Sequence, residues 1–123
     1  MSGRVLKDVP VDHLIDLDEL ARRLTRLRPE WERSAEVGPF TWRDEQAPWP
    51  QPIVTDRAIV KVPESLGVRL TSGEDEAEIV VWTGGWADIG FLFDEDVTDL
   101  YAEFQDVDGA YAAVATNVED FLA

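Results

Sequence analysis

The patterning of the chain predicts an α+β fold: an antiparallel four- to five-stranded meander sheet, with an N-terminal and a C-terminal helix packed on one face. Three observations carry this. A capped stretch of helical periodicity lies near the N-terminus, and period-two alternation with short turn-rich connections runs through the second half. A second amphipathic stretch then closes the chain.

The first helix starts at Asp16-Leu17-Asp18-Glu19, with Asp16 as N-cap and Glu19 as the N3 acid of a capping-box variant. Leu17, Leu20, Ala21, Leu24 and Leu27 follow at helical spacing, and Arg22, Arg23, Arg26 and Arg28 favour the C-terminal end of the dipole. Pro29 either ends this helix or begins a second short one through Trp31. Residues 34–57 read as mostly irregular, with a short strand at 40–43 and an extended 47–52 stretch whose three prolines remove ladder donors. Trp49, between two of those prolines, is read as a plug at a core edge or as part of a functional loop. Strands are expected at 58–62, 66–70, 77–82, 86–93 and 98–105. Asp108 is the expected cap of a last helix whose Tyr111, Val114, Val118, Phe121 and Leu122 form one apolar face.

With 123 residues, the chain fits a single domain, 1–123, large enough for a real core. A hydrophobic content of 45% with five Trp argues against disorder despite a formal net charge of −15. The absence of Cys removes disulfides and thiolate metal sites. The opening Met-Ser-Gly-Arg-Val-Leu-Lys-Asp lacks the apolar run of a signal peptide, and no segment has the length of a membrane span, so a cytoplasmic protein is expected.

The charge is uneven. All 11 Lys and Arg residues lie at or before Arg69, where 12 acids nearly balance them. From Leu70 onward there are 14 acids and no base. Such a field repels nucleic acid and anionic membrane and steers cationic partners into encounter; solubility or salt adaptation is the plainer alternative.

Register sharpens the picture. A three-residue Thr83-Gly84-Gly85 loop pairs Trp82 with Trp86, Val81 with Ala87 and Ile79 with Ile89, which keeps apolar residues on one face. A four-residue loop, Asp94-Glu95-Asp96-Val97, then pairs Phe91 with Leu100 and sets Asp88 opposite Glu103, a like-charge pair that costs some tenths of a kcal/mol up to about 1. Ala87, Ile89, Phe91 and Phe93 are expected toward the core, with Leu100, Ala102 and Phe104. Glu78, Trp82, Trp86, Asp88, Tyr101 and Glu103 are expected on the other face, flanked by the acidic turn Asp94, Glu95 and Asp96. Aromatics beside uncompensated carboxylates resemble a binding surface, although Trp82 and Trp86 as a simple hairpin-stabilising pair is the competing reading.

Catalytic chemistry finds little support. His13 is the only His and has no Cys or clustered Ser to activate, so a capping or surface role is expected. Gly84-Gly85 joins strands rather than opening a phosphate-binding helix. Asp94, Glu95, Asp96 and Asp99 lack the EF-hand spacing, and a solvated acidic turn is the expectation; Asp88 with Glu103 as an acid–base pair has no pocket signal beside it. The chain is therefore expected to be no enzyme, with no cofactor and no metal.

The stretch Ile79-Val80-Val81-Trp82-Thr83-Gly84-Gly85-Trp86-Ala87-Asp88-Ile89-Gly90-Phe91, followed by another strand and a closing helix ending Val118-Glu119-Asp120-Phe121-Leu122-Ala123, resembles the small acidic α+β immunity proteins of bacterial polymorphic-toxin and contact-dependent inhibition systems. The likeness covers roughly the last 50 residues and is one of pattern. It implies a non-enzymatic role: binding a cognate protein toxin, for many such systems a basic nuclease C-terminal domain, as a monomer or homodimer. The runner-up is an acidic secretion chaperone holding an extended effector segment along apolar grooves.

Overall fold

The computed structural model describes residues 13–123. The opening stretch inspected for a signal peptide lies outside them.

Helix α1 spans Leu17–Trp31. Asp16 leaves the helix with extended backbone, and its Oδ1 accepts the Glu19 N–H at 3.0 Å. The Glu19 carboxylate does not reach back to complete a capping box; the guanidinium groups of Arg22 and Arg23 hold it. Leu17, Leu20, Leu24 and Trp31 are buried along one face. Pro29 neither ends the helix nor begins another. It sits in the last turn, where only one intrahelical bond is lost, and the Glu32 N–H still reaches the Arg28 carbonyl at 2.8 Å.

Six strands follow: β1 (Glu36–Val37), β2 (Thr41–Asp44), β3 (Pro63–Ser72), β4 (Asp75–Trp82), β5 (Trp86–Phe93) and β6 (Asp96–Glu103). The expected strand at 58–62 is instead a 3₁₀ turn, Arg57–Ile59. Its polar groups are claimed locally. The Asp56 carboxylate caps the Ala58 N–H at 3.0 Å, and Arg57 pairs bidentately with Asp18 at 2.8 and 2.9 Å while donating to the Val60 carbonyl at 2.6 Å. The Lys61 and Val62 N–H groups donate to the Asp44 carboxylate at 2.9 and 3.2 Å, leaving no donors for a ladder there.

The sheet is antiparallel, ordered β1-β3-β4-β5-β6, and β2 also pairs with β3. Across β3, β4, β5 and β6 the inward rows read Leu66-Val81-Ala87-Ala102, Val68-Ile79-Ile89-Leu100 and Leu70-Ala77-Phe91-Thr98. Trp42 on β2 joins the first row opposite Leu66 and is buried. Helix α2 (Val107–Leu122) closes the core with Ala110, Val114, Val118 and Phe121, and the Phe121 ring stacks on Phe91 at 6.1 Å between centroids. Its cap is Asp106, not Asp108: Asp106 Oδ1 accepts the Gly109 N–H at 2.8 Å. Asp108 lies in the first turn and ties α2 to α1 through Arg23 at 2.6 Å.

Both helices cover the same sheet face but stop short of β6. Leu100 is 45% exposed and Phe93 38% exposed, so neither is the core residue that alternation predicts. Trp49, at 81% exposure, plugs nothing.

Candidate protein-binding face

The β4–β5 connection forms as expected. Trp82 pairs with Trp86, Val81 with Ala87 and Ile79 with Ile89, and Gly85 supplies φ +107°. Two features bring the loop in close. A side chain on Gly85 would meet the Phe104 carbonyl, and the Trp86 ring folds over Gly84.

The β5–β6 connection does not. It is a two-residue turn, Asp94-Glu95, with φ of +48° and +74°, the type I′ pattern whose twist matches the flanking strands. Phe93 pairs with Asp96, and the whole register moves by two residues. Asp88 therefore faces Tyr101, and Glu103 faces Trp86. Asp88 and Glu103 are diagonal neighbours and not a directly opposed pair. A shift of two leaves every side chain on its original face, so alternation alone has no power to choose between the two turns.

The outward rows consequently read Arg43-Ser65-Trp82-Trp86-Glu103, then Thr41-Gly67-Val80-Asp88-Tyr101, then Arg69-Glu78-Gly90-Asp99. Glu78, Trp82, Trp86, Asp88, Tyr101 and Glu103 all share this face. Asp94 and Glu95 form the turn at its end, and Asp96 begins β6 with its side chain on the helix side, so these three border the face without belonging to it.

The face is polarised from one edge to the other. On the β2–β3 side, the Arg43 guanidinium lies 4.9 Å from the Trp82 ring centre and donates to Ser65 Oγ at 3.1 Å. Arg69 pairs with Glu78 at 3.2 Å and approaches Glu76 at 3.9 Å. In the middle, Trp82 and Trp86 stack with centroids 6.0 Å apart and planes inclined by 16°, and Trp82 Nε1 donates to Asp88 Oδ2 at 3.1 Å. On the β5–β6 side, the Tyr101 hydroxyl donates to Glu103 at 2.9 Å. That hydrogen bond, then partial burial and the charges of Glu103 and Asp88, raise the tyrosine above its usual pKa, so it stays a neutral donor. Among the described residues, no ion pair reaches Asp88, Asp94, Glu95, Asp96, Asp99 or Glu103.

Between these strands the missing side chain of Gly90 leaves an open hollow of about 270 Å³, bordered by Glu78, Asp88 and Asp99. A cationic side chain fits its size and sign. The four-residue turn keeps Asp99 on this face but pairs Gly90 with Tyr101, so it hides Asp99 as the residue beside the hollow; a two-residue Asp94-Glu95 turn places it there. Arg43 carried no sequence signal, since a residue far upstream in an irregular-looking stretch reaches Trp82 only through β2–β3 pairing.

His13 is exposed and lies 2.9 Å from Glu45. Among the described residues, no group of three or more His, Asp or Glu side chains converges as a metal site needs, and no helix is long and apolar enough to cross a membrane. No protein-family model matches the chain, and no curated protein or solved structure shows significant similarity to it.

Proposed function

We propose that this chain is an immunity protein, binding and neutralising a cognate basic toxin domain of nuclease type through the outward face of β4, β5 and β6. One observation carries the reading. A stacked tryptophan pair lies directly beside Asp88 and Glu103, with Asp99 two rows further along the same face, and the negative charge of the three is compensated by no cation of the described chain. Solvation alone would not call for large aromatics at the centre of an acidic patch, whereas interfaces place Trp and Tyr as anchors and use surrounding charge to steer encounter. The acidic hollow at Gly90 would receive a Lys or Arg of the partner, and no catalytic role is assigned to the chain itself. The secretion-chaperone reading is favoured by a different observation, the uncovered apolar side chains near β6, but it leaves the tryptophan pair without a purpose.

The test is to co-express the chain with the product of the adjacent open reading frame and to isolate a complex with a folded basic domain. In that complex, Asp88→Lys with Glu103→Lys should slow association and weaken its salt dependence. A neighbouring product that does not bind, or affinity unchanged in the double variant, removes the proposal.

A further inference from the structure

The two edges of the sheet are built differently. At the β3 edge, β1 has two residues and β2 four, the β2 register shifts between Arg43 and Asp44, and a proline-rich stretch follows. These are the devices with which natural sheets prevent strand addition. At the opposite edge, β6 pairs over all eight residues without a bulge, contains no Pro and no Lys, and has β5 as its only neighbour among the described residues. In an antiparallel ladder, alternate residues of such a strand direct their N–H and C=O groups outward. Neither helix covers its inner side: Leu100 is 45% exposed there, with Val97 and Tyr101 at 69% and 60% on the outer side.

We infer that β6 is a docking strand, which an extended segment of a protein partner extends by β-addition, with cationic residues on the segment's outward side and an apolar residue on its inward side. The side-chain rows dictate that pattern. An added strand would meet Asp99, Tyr101 and Glu103 on the outward face and Leu100 between Thr98 and Ala102 on the inward face. Charge decides against a second copy as occupant. Each edge carries Asp94, Glu95, Asp96, Asp99 and Glu103, so β6-to-β6 pairing would bring ten carboxylates together with no described cation between them. Area calls for contact beyond the face itself. Three strands of eight residues present roughly 400 Å² in projection, well short of the ~800 Å² each partner buries in a standard complex. A strand added at β6 extends the contact. The inference rests on the reading of this face as a protein-binding surface, but its test requires no toxin.

The probe is a capped octapeptide alternating lysine and valine, titrated into the full chain at low salt and followed by amide NMR and hydrogen exchange. Two control peptides accompany it: a glutamate–valine counterpart, and the lysine–valine peptide N-methylated at every residue, which retains charge but offers no N–H to a ladder on either edge. We expect shifts concentrated on β6, slowed exchange of its outward N–H groups, no response to the glutamate peptide, and about tenfold weaker binding of the N-methylated one. Asp99→Asn with Glu103→Gln, a change that relieves repulsion and keeps the fold, should weaken binding about three- to tenfold.

Equal binding of the N-methylated peptide, shifts spread over Glu74–Glu76 as much as over β6, or no binding at all overturns the inference. So do outward β6 amides already protected in the free chain, whether by residues 1–12 or by a second copy. If peptide pairing fails while the neighbour-encoded partner still binds in an Asp88- and Glu103-dependent way, the edge inference falls and the inhibitory reading stands.

Discussion

The Trp82–Trp86 pair separates two readings of the outward face, because a hairpin staple and a partner anchor respond differently to truncation. Trp86 is 36% exposed, so roughly two-thirds of its surface is already out of water against Gly84 and Trp82. For a side chain burying 150–250 Å² when fully covered, that is about 100–160 Å², or ~2.5–4 kcal/mol at 25 cal/mol per Å². Compactness of the unfolded chain trims this to about 2–3 kcal/mol, the expected cost of Trp86→Ala. Trp82→Ala should cost a similar amount, including about 0.5–1 kcal/mol for the Arg43 guanidinium lying 4.9 Å from the ring centre. Because the rings stack at 6.0 Å, the double variant should be less destabilised than the sum of the two, by about 0.5–1.5 kcal/mol. Urea unfolding of the wild type, both single variants and the double variant measures that coupling directly. A coupling under about 0.3 kcal/mol would refute the claim that the stack stabilises the hairpin. Milder Trp→Leu changes in the proposed toxin complex then measure the anchor role, where a loss of 2 kcal/mol or more per residue is expected of a central aromatic.

Other consequences are open to the same kind of measurement. Glu95 occupies φ +74° without being glycine, so Glu95→Gly should stabilise the chain by about 1 kcal/mol, and an unchanged or lower thermal midpoint would contradict the turn assignment. Gly85→Ala should destabilise by about 2 kcal/mol or more, since φ is +107° and the new Cβ would lie 2.8 Å from the Phe104 carbonyl oxygen; wild-type stability in urea would show that this backbone relaxes freely. Asp44 is held below its usual 3.8 by the N–H groups of Lys61, Gln46 and Val62, and Asp18 by its hydrogen bonds with Arg57. Both folded values lie under the unfolded ones, so these groups stabilise fully above about pH 4 and lose that contribution as pH falls through the folded values. The gap in urea midpoint between wild type and Asp44→Asn should therefore be constant from about pH 7 to 5 and close below about pH 4; a gap independent of pH would exclude the linkage. Finally, about 0.5 M NaCl should raise the thermal midpoint relative to about 0.02 M by screening the clustered carboxylates, and a fall would show that the ion pairs of α1 dominate instead.

Much of the architecture was legible in the chain itself because it depends on neighbours in sequence. Asp16 caps the helix whose periodic leucines it precedes, and Gly84-Gly85 admits the three-residue loop that aligns the faces of β4 and β5. The same alternation placed Glu78, Trp82, Trp86, Asp88, Tyr101 and Glu103 on one side of the sheet, and the confinement of all bases to the first 69 residues made that side acidic. Tertiary structure decided what a local period cannot. A two-residue and a four-residue turn preserve the same faces, so only the paired strands show that Glu103 faces Trp86 and that Asp99 borders Gly90. Residues 58–62 have strand-like composition, yet Asp56, Asp18 and Asp44 claim the polar groups around them and turn the backbone into a 3₁₀ bend. Whether Leu100 is buried depends on how far two helices reach across a sheet, a matter of packing and not of periodicity. Among the described residues, that shortfall in cover leaves β6, with its apolar and carboxylate side chains, as the open edge of the sheet.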